Sequence, residues 1–184
     1  MYTRYTKSIA EYLEKQVKPR LQNLEGEELL KELDLRWRNH QVMVRWMQRF
    51  FQYLDRYYVE MSSIGTLTDQ GFFQFKLIIF GQMAQRITQA ILQLIQKDRN
   101  GDKVDSDLLK SVVGIFSYLN NEKIVGQGAN YLLDLENKLV EDSVHFYKNR
   151  SLQMIQTATL VDYLSLANDL LKNENHRLTN CLTW

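Results

Sequence analysis

"VMVRWMQRFFQYLDRYYV", residues 42–59, holds more apolar side chains than an ordinary surface helix needs. Its apolar residues recur at steps of three and four, the period of a helix. Placed at 100° per residue, Val42, Tyr53, Trp46, Tyr57, Phe50, Met43, Leu54, Met47, Tyr58, Phe51 and Val44 follow one another around an arc of about 200°. Gln48, Asp55, Gln52, Arg45, Arg56 and Arg49 hold the other side. A helix docked on a single core needs an apolar stripe of only about 100°. The excess has two explanations: neighbouring helices wrap it on most sides, or a second molecule covers what the chain leaves open.

Working outward, the same helical period recurs on both sides. Before it, Tyr2, Tyr5, Ile9, Tyr12, Leu13 and Val17 are helically spaced up to Pro19, which bends or restarts the helix. Gly26 marks a turn. Leu29, Leu30, Leu33 and Trp37 then form one side of a second amphipathic helix that leads into residue 42. After it, "MSSIGTLTDQG", residues 61–71, gathers the small and polar residues of a linker. Phe72, Phe75, Ile79, Met83, Ile87, Ala90 and Leu94 make a helical stripe that stops at Asn100-Gly101. A further helix starts at an N-cap, Asp105 or Ser106, and carries Leu108, Val112, Ile115 and Leu119. Residues 122–130 read as a loop, and residues 131–156 and 160–182 as two more helices. With one proline and eight glycines in 184 residues and no competing strand pattern, the chain is predicted to be all-α, with its helices packed as bundles.

Composition narrows the function. The apolar share is 45% and the charged share 24%, as in folded proteins, and a formal net charge of +1 gives no bulk attraction to nucleic acid or anionic lipid. A lone cysteine, Cys181, excludes an internal disulfide and suits a reducing compartment, cytoplasm and nucleus. No membrane span and no secretory leader is read.

Candidate chemistry is sparse. "DRNGDKVDSD", residues 98–107, has Lys103 where a calcium loop needs glycine and Leu109 where it needs a bidentate glutamate, so it reads as a turn and helix cap. His40, His145 and His176 are scattered, and His176 with Cys181 supplies only two ligands, so no metal or cofactor is expected. Cys181 has no base placed by the sequence, and glycine-rich phosphate loops are missing. Arg36, Arg38, Arg45, Arg49 and Arg56 can be taken for a nucleic-acid stripe, yet they border a wide apolar arc. A protein interface rimmed by arginine is the preferred reading and nucleic-acid binding its alternative.

Longer runs carry a resemblance. "WRNHQVMVRWMQRFFQYLDRYYV" (37–59), "ITQAILQLIQKDRNGDKVDSDLLKSVVGIF" (87–116), "EDSVHFYKNRSLQMIQ" (141–156) and "DYLSLANDLLKNENHRLTNCL" (162–182) resemble, in the same order, helices of the cullin N-terminal region. The resemblance is thinnest near residues 61–70 and 120–131, and is strongest to the plant-like class that serves Skp-type adaptors and F-box receptors. It implies stacked helical bundles of the cullin-repeat, solenoid-like type, with residues 1–65 as later helices of a first repeat and 66–184 as a second. It implies a non-enzymatic scaffold of a ubiquitin ligase, with an adaptor-facing edge through Val42, Arg45, Trp46, Arg49, Tyr53 and Arg56. Met47, Phe51, Leu54 and Tyr58 would face inward. The family pattern begins with an earlier adaptor-contacting helix and ends in a RING-binding region. Neither is matched, so weakened docking, no RING partner and self-association through an open apolar flank are expected.

Overall fold

Gly26 takes a left-handed φ of +54°, and from it one unbroken helix runs 37 residues to Ser62. The computed structural model describes residues 2–62, 66–121 and 129–181, and the side chains of Tyr2, residues 53–62 and Cys181 lie outside that description. Among the described residues the structure is all-α, without a strand. The helices are α1 (Tyr2–Tyr12), α2 (Lys18–Gln22), α3 (Gly26–Ser62), α4 (Leu67–Phe75), α5 (Gly81–Arg99), α6 (Ser106–Leu119), α7 (Tyr131–Thr157) and α8 (Leu160–Cys181). None is long and apolar enough to cross a membrane.

Pro19 has the effect its chemistry requires. It has no N–H for the carbonyl four residues back, and the chain enters it through a π-helical turn, Leu13–Val17, where the N–H of Lys18 bonds Leu13 five residues back. The axis shifts without stopping. Arg86 on α5 then donates to the carbonyls of Gln22 and Leu24, at 3.2 and 3.0 Å, and satisfies groups that the end of α2 leaves free.

The predicted linker over 61–71 is corrected in its second half, where Leu67–Gly71 are helical, and residues 63–65 lie outside the described residues. Thr66 and Asp69 form a reciprocal capping box, which starts α4 at Leu67 and places Gly71 inside a helix. Gly71 is small for another reason: a Cβ there would lie 2.8 Å from Cγ2 of Val44 and 2.9 Å from the hydroxyl of Tyr5. It lets α4 approach α3 and α1. Asp105 is the N-cap of α6, accepting from the N–H of Leu108 at 3.0 Å. The predicted loop at 122–130 lies largely outside the described residues.

One apolar core runs from Ile9 to Leu139. It holds every residue of the predicted stripes Leu29–Trp37 and Phe72–Leu94, each no more than 5% exposed. Trp37 is its aromatic centre, with ring centroids 5.4 Å from Phe72, 5.1 Å from Phe75 and 5.4 Å from Tyr118. This cluster fixes the rotation of α3 about its own axis. That rotation decides which residues of the greasy arc face outward.

Candidate interaction surface

The arc on α3 divides into two halves. Val44 is buried, and Met43, Met47 and Phe51 are half-buried along the side that meets α1 and the start of α4. Met43, Met47 and Phe51 line an apolar groove of about 640 Å³ with Tyr5, Ile9 and Tyr12. The other half is open: Val42 is 51% exposed, Trp46 52% and Phe50 75%. Large apolar side chains in such a row are unusual on a surface and characteristic of contact sites.

Arg45 and Arg49 flank the row and are exposed. The guanidinium of Arg49 lies over the indole of Trp46, 5.5 Å from its centroid, and the Trp46 and Phe50 rings are 6.4 Å apart. Stacking orders the arginine without spending its hydrogen-bond donors, which stay available to a partner's carboxylate or carbonyl. The helix backbone continues past Tyr53 and Arg56, which share this side by helical period. Their side chains lie outside the described residues, as do those of Leu54 and Tyr58. Phe50 lies on the apolar arc and joins the open row, although the family resemblance does not place it on the adaptor-facing edge. Its signal was available, because 42, 46 and 50 are spaced at i, i+4 and i+8.

The arginines invoked for nucleic acid divide differently. Arg36 is bound to Glu32 at 2.6 Å and Arg38 to Asp34 at 2.7 Å, each across one helical turn. Paired arginines make a poor phosphate stripe, since the neighbouring carboxylates oppose the anion. Near the start of the same helix Lys31 pairs with Glu27 in the same way.

His40 belongs to the core. It is 2% exposed, with Nε2 3.0 Å from the carbonyl oxygen of Gly71, so the neutral ring carries its proton on Nε2 and donates it there. Burial lowers its pKa to about 4, against the opposing effect of that hydrogen bond. His176 touches Asn180 on the surface, and among the described residues no three His, Cys, Asp or Glu side chains gather as a metal site.

A second polar feature escaped the sequence reading. The side chain of Arg99, 2% exposed, binds Asp142 and Glu174 at 2.7 Å each and Ser143 at 2.6 Å. Arg177 binds Asp98 at 2.6 Å and also Glu174, which accepts from the Tyr147 hydroxyl as well. Burial pushes the Glu174 carboxyl up, but hydrogen bonds from Arg99 and Tyr147 and the two guanidinium charges outweigh it and leave the pKa lowered. Burial and Glu174 push Tyr147 up to about 12. Asp98, weighed earlier as a calcium ligand, is thus engaged by Arg177.

Comparison with known proteins accounts for this architecture. The family model described as "Cullin alpha solenoid domain" matches residues 1–183. The chain is 35% identical over 182 residues, 99% of its length, to both "Putative cullin-like protein 1" and "Cullin-2" of Arabidopsis thaliana, covering 25% and 24% of them. It is 39% identical over 116 residues, 63% of its length, to "Cullin-1" of Oryza sativa subsp. japonica, covering 16% of that protein. The chain thus spans about a quarter of the length of the two Arabidopsis relatives.

Proposed function

The chain belongs to the cullin family, and from that premise we propose that it is a non-catalytic scaffold segment of a cullin-RING ubiquitin ligase that docks a Skp-type adaptor carrying an F-box receptor. The docking edge is the outer side of α3, through Val42, Arg45, Trp46, Arg49, Tyr53 and Arg56, with Phe50 added. The open row of Val42, Trp46 and Phe50 beside exposed Arg45 and Arg49 carries this reading. Interface hot spots concentrate in aromatic and arginine residues of this kind.

The reading assigns no chemistry to the chain: among the described residues the Arg99–Glu174 cluster is internally paired and the exposed row on α3 is apolar with basic flanks. Self-association through the groove between α1 and α3, in the cytoplasm and nucleus, belongs to the same reading, and sedimentation across a dilution series checks it.

Tyr53→Ala combined with Arg49→Glu tests the docking edge by calorimetric titration against a Skp-type adaptor bound to an F-box segment. Each truncation of a hot spot costs about 2 kcal/mol, about 30-fold in Kd. The double variant is expected to keep its helical circular dichroism while losing at least that affinity. Equal affinity for variant and parent would remove the assignment.

A further inference from the structure

α7 is 27 residues long yet buries only Leu135, Leu139 and Met154, and among the described side chains of α8 only Arg177 is buried. By contrast α5 and α6, with 19 and 14 residues, bury seven each: Met83 to Ile95 in one, Leu108 to Leu119 in the other. The main apolar core ends at Leu139. Beyond that residue α8 packs along α6 without burying an apolar side chain of its own among the described residues, and the polar contacts of the pair gather where Arg99 and Asp98, the last turn of α5, insert among Asp142, Ser143, Glu174 and Arg177.

We propose that residues 140–181 form a separately opening unit, latched onto the bundle by the ionic cluster around Arg99 and Glu174 rather than by the apolar core. Regions differ in local stability according to how much apolar surface they bury, and a segment with little opens as a block below the global unfolding energy. A buried ion pair suits a latch. It contributes little net stability when intact, but loss of one partner strands the other charge, so the closed state is sharply sensitive to single groups. Glu174 is the keystone: it meets Arg99, Arg177 and Tyr147 at once, and joins α5, α7 and α8. Arg99 also lies over the rings of Phe146 and Tyr147, 5.2 and 5.5 Å from their centroids, so the same guanidinium holds α7 by two kinds of contact. In a stacked-helix scaffold, opening here redirects residues 140–181 while the α3 edge keeps its shape.

Native-state hydrogen exchange on the whole chain, read by mass spectrometry, tests this. In the parent, amides of 140–181 are expected to exchange faster than those of 83–119. Glu174→Gln should accelerate the whole block 140–181 together, on the order of 100-fold, and leave 83–119 at parental rates. Tyr147→Phe, which removes one hydrogen bond and no charge, should accelerate the same block by about tenfold. The proposal is overturned if Glu174→Gln accelerates 83–119 equally, changes only the few amides around residue 174, or fails to fold, since an opened latch leaves the core intact. It is also overturned if Tyr147→Phe leaves 140–181 unchanged.

Discussion

Nε2 of His40 lies 3.0 Å from the carbonyl oxygen of Gly71, joining a buried side chain of α3 to the backbone of α4 where the two helices come closest. A carbonyl only accepts, so the contact requires the ring to donate. Around it pack Trp37, Phe72 and Phe75, apolar rings that do not solvate an imidazolium.

That environment makes stability fall with acid. His40 has a pKa lowered from the ordinary 6.5 to about 4, so as pH drops the unfolded chain takes up the proton first. The folded state therefore loses stability between those two values, and the loss from this group is complete below the lower one. It amounts to about 3 kcal/mol in full. His40→Gln keeps a donor for Gly71 without titrating. Urea unfolding should show the parent's advantage over this variant shrinking from pH 7 to pH 4, whereas a constant gap contradicts the buried neutral histidine.

Two glycines in helices should respond in opposite directions. Ala in place of Gly favours a helix by up to about 1 kcal/mol, but overpacking costs about 1–3 kcal/mol. At Gly71 the new methyl meets a branched, buried Val44, so Gly71→Ala should destabilise. In a Val44→Ala background the same change should cost less, with the contact to the Tyr5 hydroxyl remaining. Gly114 has nothing within 4 Å of its Cβ position, and Gly114→Ala should raise Tm. Thermal unfolding of the four variants settles both signs.

The capping box at α4 supplies a third expectation. Asp69→Ala removes the carboxylate that accepts from both the N–H and the hydroxyl of Thr66, at 3.0 and 2.7 Å. The loss should be about 1 kcal/mol in denaturant unfolding, with no change in m-value. A loss within error would mean that α4 starts without this cap.

Much of the fold was legible because the apolar residues keep one period over long stretches. Leu29, Leu30, Leu33 and Trp37, and the stripe from Phe72 to Leu94, point to the core as their spacing dictates. The error at 61–71 has a physical source: Thr66, Asp69 and Gly71 look like linker residues, but two of them cap a helix and the third permits a close approach. Neither role is visible without the partner element. Arg99 and Glu174 are 75 residues apart, and a long-range ion pair leaves no periodic trace. At the candidate surface, the width of the arc signalled excess apolar area. Which half stays open depends on how Trp37 seats α3, and that is a tertiary fact.

Trp46 and Met47 are neighbours in sequence on opposite halves of that arc, and this separates docking from general damage to α3. Titrating a Skp-type adaptor complex against Trp46→Ala and Met47→Ala chains of equal helicity tells which half of α3 docks. Docking on the outer edge predicts that Trp46→Ala weakens binding by at least about 30-fold while Met47→Ala binds as the parent does. The reverse pattern, or equal affinity for all three chains, would contradict it.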